Sequence, residues 1–219
     1  MADDAPSPAP VRVWDVPVRL GHWLMVLAVG SSWWTAETGR MDWHRYSGYS
    51  MLALLSFRIY WGFFGSSTAR FSHFVRGPRT IAAYLKGRWV AIPGHNPLGA
   101  LSVVVLLALL LTQVVLGLFA VDVDGIESGP LSAHVSFEVG RAAASWHEDL
   151  FDVLLWVIGL HVAAVLYYVL VRKESLLAAM FHGKRAGPYA PLSSATSATA
   201  LRFVIGVLIA AVLTWLVVR

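Results

Sequence analysis

The sequence predicts an all-α integral membrane bundle, a four-helix core with a fifth C-terminal transmembrane helix. Two observations carry this expectation. Of 219 residues, 57% are hydrophobic and only 14% are charged, whereas a soluble domain is about one quarter charged. The apolar residues also fall in runs of about 20, the length that crosses the hydrocarbon core of a bilayer as a helix. Three runs are almost uninterrupted, at Leu98–Ala120, Leu150–Val171 and Leu201–Val218. Two more, Val16–Ala36 and Tyr46–Gly65, are interrupted by Arg19, His22, Arg58 and small polar residues, as in helices that face a polar or cofactor-filled interior.

Taken in chain order, residues 1–15 form an N-terminal cytoplasmic segment, 16–186 a transmembrane domain, 187–199 a linker rich in Pro, Ser, Ala and Thr, and 200–219 the fifth span. The start, MADDAPSPAP, lacks the basic region and small-residue cleavage site of a signal peptide, so the first span is expected to be retained. Pro78–Trp89 and Glu174–His182 are too polar to span and read as interfacial or trailing helices. The fifth span carries no histidine and only Arg202 near its start, which makes it a packing helix outside the core.

Loop charge sets the orientation. Residues 66–97 carry Arg70, Arg76, Arg79, Lys86 and Arg88 and no acid, so this loop is cytoplasmic by the positive-inside rule. Arg172, Lys173, Lys184 and Arg185 against Glu174 put the connection after the fourth span on the same side. The loop after the third span has Asp122, Asp124, Glu127 and Glu138 against Arg141 and faces the periplasm. The expected location is the bacterial inner membrane, N-terminus inside and C-terminus outside. The net charge of +4 reflects this topology; no basic–aromatic nucleic-acid motif is present. Cysteine is absent, which excludes disulfides, thiolate metal sites, iron–sulfur clusters and covalent c-type haem.

Four of the eight histidines fall within or at the edge of spans, where an ionisable side chain is costly without a partner or ligand. They are His22 in RLGHWL, His44 in DWHRYSGY, His147 in SWHEDL, opening the fourth span, and His161 in IGLHVAAV. His147 and His161 are fourteen residues apart, which places them on nearly one helix face about 21 Å apart along the axis. His44 starts at the periplasmic depth of His147, and His22 lies toward the cytoplasmic side with His161. Two bis-histidine sites follow, each bridging two helices. A haem iron suits them, since imidazole is a common axial ligand and a flat macrocycle fits between apolar helices. With both axial positions taken by protein, electron transfer is the natural task. Arg58 lies fourteen residues after His44 on nearly the same face and needs an anion in the membrane, which a haem propionate would supply.

Plainer readings exist for each residue. A single membrane histidine often only hydrogen-bonds between helices; matched depth argues against this for the whole set. Arg58 could snorkel to the cytoplasm. His73, His95, His134 and His182 fall in loops or at interfaces and read as solvated, and the tryptophans, Trp14 and Trp61 among them, read as the aromatic belt of a membrane protein. Glu148, Asp149 and Asp152 flank His147 and could steer a partner or orient its ring, and Gln113 could bond to a neighbour or to a quinone carbonyl.

These segments resemble the bacterial cytochrome b561 family and the related b-type cytochrome subunits of nickel–iron hydrogenases. The likeness rests on WDVPVRLGHW at 14–23, DWHRYSGY and RIYWGFFG within 42–65, ARFSHFVRGP, GHNPLGAL, GPLSAHVS, and WHEDLFDVLLWVIGLH at 146–161. The resemblance implies a four-helix core with His22, His44, His147 and His161 as ligands to two non-covalent b-type haems. It also implies electron exchange between a periplasmic redox partner, such as a c-type cytochrome or an oxidoreductase subunit, and membrane quinone. Two other readings remain beside this conduit: a stand-alone oxidoreductase that oxidises superoxide or another small reductant and reduces quinone, and a haem-bearing anchor for a larger complex. A haem-free proton- or ion-transporting bundle is a further alternative.

Overall fold

A computed structural model describes residues 11–89, 94–185 and 198–219. Most of the expected N-terminal segment, residues 1–10, and most of the expected linker, residues 187–197, lie outside the described residues. Among those described the chain is built from helices: α1 (Val16–Glu37), α2 (Met41–Phe64), α3 (Phe71–Phe74), α4 (Pro78–Leu85), α5 (Pro97–Phe119), α6 (Phe137–Leu170), α7 (Leu176–His182) and α8 (Ala200–Val218). The helices α5, α6 and α8 are long and apolar enough to cross a membrane. At 22 and 24 residues, α1 and α2 also have spanning length, with the polar residues already noted in their sequences.

Local sequence explains where the helices begin. Asp15 caps α1 by accepting from the Val18 N–H at 2.8 Å, with Pro17 in the first turn, where its missing N–H costs nothing. Asn96 caps α5 in the same way, accepting from Gly99 N–H at 2.7 Å before Pro97. Ser136 caps α6. This last start corrects the expectation that His147 opens its helix: α6 begins at Phe137, not near Leu150, and runs unbroken for 34 residues, about 51 Å. Glu138 and Arg141 therefore belong to the helix rather than to the loop. The sequence misleads here because 137–149 is polar, and polarity marks the end of an apolar run rather than the end of a helix.

Helix α1 packs along α2, α2 also touches α5 and α8, and α5 packs along α6. At the end where α1, α5 and α8 begin and α2 and α6 finish, called proximal below, Val13, Trp14, Val18, Trp61, Ala69 and Ala179 form one buried cluster. Trp14 and Trp61 are thus core residues and not part of an exposed belt, Trp61 being 2% exposed with its Nε1–H donating to Asp15 at 2.8 Å. A two-residue ladder, Val11–Arg12 (β1) against Lys184–Arg185 (β2), ties the N-terminal segment to the turn after α7. Gly183 closes α7 in the left-handed conformation, and its carbonyl accepts from Val13 and Trp14. Midway, Ala28, Met51, Leu55, Val114 and Leu118 make a second cluster. At the distal end the α5–α6 loop folds back: Leu131 N–H donates to Leu118 and Val121 N–H to Gly140. Arg45 bridges to Asp42 and Glu127.

The outer helix α8 lies on α2 through small residues. Gly206 and Ala210 are its buried positions, one turn apart, and a Cβ on Gly206 would stand 2.6 Å from Tyr60. This close backbone approach is how apolar helices associate when no hydrophobic difference from lipid drives them.

Candidate functional site

The distal site joins α2 to α6. The His44 and His147 ring centroids are 6.0 Å apart with planes at 85°. Each ring is held from behind: His44 Nδ1 lies 2.9 Å from the Ser32 carbonyl and His147 Nδ1 lies 2.8 Å from the Gln113 carbonyl. A carbonyl accepts only, so each Nδ1 carries the hydrogen and each Nε2 is left with a free lone pair. Gln113 completes a reciprocal clip, its Nε2 donating to the His147 carbonyl at 2.7 Å. Serine 32 is fixed in turn by Ser47 at 2.6 Å. Two glycines leave room: Gly48, one turn after His44, has open space where a Cβ would stand, and a Cβ on Gly117 would come within 2.9 Å of the His147 ring.

The proximal site joins α1 to α6. His22 and His161 are close enough to interact electrostatically. His161 Nδ1 is 3.0 Å from Ser102 Oγ on α5, whereas His22 Nδ1 is buried without a hydrogen-bond partner. Arg58 projects from α2 at this end. It is 8% exposed, its Nη1 has no partner, and its guanidinium lies 5.1 Å above the Phe71 ring. The structure thus brings His44 and His147 together and places His22 and His161 within electrostatic reach of each other, and Arg58 is buried at the same end of the bundle as the latter two.

Other sequence-selected residues separate. Glu148, Asp149 and Asp152 are exposed on α6, and Asp152 lines only an open depression with Leu155 and Trp156. His134 and His182 are exposed. His95 is a correction: expected to be solvated, it is wedged between Trp14 at 4.4 Å and Phe74 at 4.7 Å, with its Nδ1 shut off from solvent. Burial, reinforced by Arg58 and His161, pushes its imidazole down to about 3, so it is neutral at physiological pH. No local signal betrays this, because the residues that bury His95 come from segments remote in sequence. Among the described residues no group of three or more His, Cys, Asp or Glu could hold a bare metal ion.

Long apolar helices with a close pair of imidazoles between them place the chain in the class of helical membrane proteins. The sequence model of prokaryotic cytochrome b561 matches residues 13–183, and the chain belongs to that family. No curated protein and no solved structure matches the chain. The family places b-type haem in a bacterial membrane and uses it for electron transfer, and the matched residues contain both histidine pairs and Arg58.

Proposed function

We propose that the chain is a five-span, di-haem electron conduit of the inner membrane, linking a periplasmic redox partner to the quinone pool. One haem would be held by His44 and His147 and the other by His22 and His161, with Arg58 beside a propionate of the latter. The observation that carries this reading is the distal pair. Two imidazoles lie 6.0 Å apart between ring centroids with their planes at 85°, a separation that accommodates one metal ion bonded at about 2 Å to a nitrogen of each ring. Their Nδ1–H groups are anchored on backbone carbonyls, the arrangement that fixes ring orientation and raises ligand basicity in metal sites. Haem held by these imidazoles would supply reversible one-electron chemistry. The chain contributes ligand orientation, apolar surroundings and a path from His147 to His161 of about 21 Å along α6.

The distal surface bears on the choice of partner. A stand-alone oxidase of a small anion calls for a positive funnel, yet Arg45 is engaged by Asp42 and Glu127, Arg40 lies over Trp34, and Arg141 donates to the Val121 carbonyl. Exposed Asp124 and Glu148 add negative charge. This favours a docked protein that presents basic residues over a diffusing anion, and it leaves a haem-bearing anchor as a variant of the same reading. Pyridine haemochrome quantitation on protein purified in mild detergent tests the proposal. Two b-type haems per chain, reducible by dithionite, are expected; a colourless protein would turn the assignment toward an ion-transporting bundle.

A further inference from the structure

Several side-chain nitrogens are buried without a hydrogen-bond partner at the proximal end, His22 Nδ1 and Trp23 Nε1 among them, and two more lie within electrostatic reach of each other. Arg58 Nη1 and His95 Nδ1 both lack a hydrogen-bond partner and both are closed to solvent. They reach this place from different elements, Arg58 from α2 and His95 from the turn before α5, and a continuous run of rings joins them. Arg58 lies 5.1 Å over Phe71, Phe71 is 5.7 Å from Phe74, and Phe74 is 4.7 Å from His95. Each lies within electrostatic reach of the other, and His95 also of His161. The nearby Asp15 acts on Arg58 only at a distance, because its oxygens already accept from Val18 N–H and Trp61 Nε1–H at 2.8 Å.

Burying a polar donor without an acceptor is costly, and burying a charge without a partner costs more. With His95 in its Nδ1–H tautomer, two such donors within electrostatic reach of each other are accounted for when an acceptor with negative charge enters. A planar carboxylate has two oxygens and suits a guanidinium on one side and an imidazole N–H on the other. We propose that His95 is the second anchor of the proximal haem, and that it and Arg58 together hold a propionate of the group ligated by His22 and His161. This rests on the di-haem reading and extends it to a histidine outside the four ligands.

The test uses the full-length, haem-loaded protein and three variants. His95→Phe keeps an aromatic ring between Trp14 and Phe74 but removes the N–H, His95→Asn keeps an N–H near the same position, and His161→Ala marks which spectral component is proximal. Haem transfer to apomyoglobin and a spectrophotometric redox titration are the readouts. In His95→Phe, the component missing from His161→Ala is expected to leave roughly tenfold faster, as for loss of one hydrogen bond to a charged group, and its midpoint potential to move. The other component should be unchanged, and His95→Asn should restore most of the retention. Two haems with parental transfer rates and potentials in His95→Phe would overturn the inference while leaving the di-haem reading intact. Parental protein without haem would overturn both.

Discussion

His44 and His147 are prepared for a ligand by the atoms behind them rather than by their own burial. The Ser32 and Gln113 carbonyls hold the two Nδ1–H groups, and Gly117 leaves the His147 ring its space. Gly117→Val is therefore expected to push His147 out of register and remove the distal haem while the proximal one stays, as read in the reduced-minus-oxidised spectrum. At the other end Asp15 has two tasks, capping α1 and accepting from buried Trp61. Asp15→Ala loses a cap and strands an indole N–H, which together cost about 2 kcal/mol or more. Thermal unfolding in detergent should show a lowered midpoint for Asp15→Ala and a smaller loss for Asp15→Asn. His147 and His161 were legible as one face of a helix because a fourteen-residue spacing survives any error in its ends, whereas the depths read for His22 and His44 depended on the ends assigned to α1 and α2. His95 was not legible, since Trp14 and Phe74 bury it from 81 and 21 residues away, beyond any local pattern.

The elements show where apolar runs mislead. Helix α6 begins at Phe137 because Ser136 caps it, although the residues from there to Asp149 are too polar to look like a span. With 34 residues it exceeds the roughly 20 that a bilayer core needs, and its polar first turns adjoin the distal loop. Helix α2 likewise begins at Met41 rather than Tyr46, which places His44 inside it. For α8 the sequence suggested a packing role but not its neighbour; the Gly206 and Ala210 surface supplies that, seated on Tyr60 and Phe57 of α2. Gly206→Leu is expected to lift α8 from α2. In a Tyr60→Cys, Gly206→Cys double variant of this cysteine-free chain, oxidative cross-linking should be efficient, whereas the Tyr60→Cys, Ala210→Cys pair carrying Gly206→Leu should link at least several-fold less than its Gly206 counterpart.

For the whole molecule, charge and connectivity point the same way. The β1–β2 ladder brings the N-terminal segment to the end of the bundle that also carries the basic loop between α2 and α5, so the two lie on the same side, which the positive-inside rule would make the cytoplasm. Because the chain has no cysteine, single exposed replacements report sidedness directly. Ser72→Cys should react with a membrane-impermeant maleimide only in inverted vesicles and Asp124→Cys only in right-side-out ones; the reverse pattern would invert the topology. The absence of Cys, the loop charges and the run lengths made the class readable from sequence, as depth did the pairing of histidines across helices, while the carbonyls behind the rings and the burial of His95 are tertiary and needed the structure.

The central claim is that each haem is shared by one particular pair of histidines. It is tested most directly by haem-resolved redox titration of His22→Ala, His44→Ala, His147→Ala and His161→Ala. His44→Ala and His147→Ala should lose the same spectral and redox component, and His22→Ala and His161→Ala should lose the other. Losses paired in any other way, or both components persisting in any of the four variants, would contradict the account.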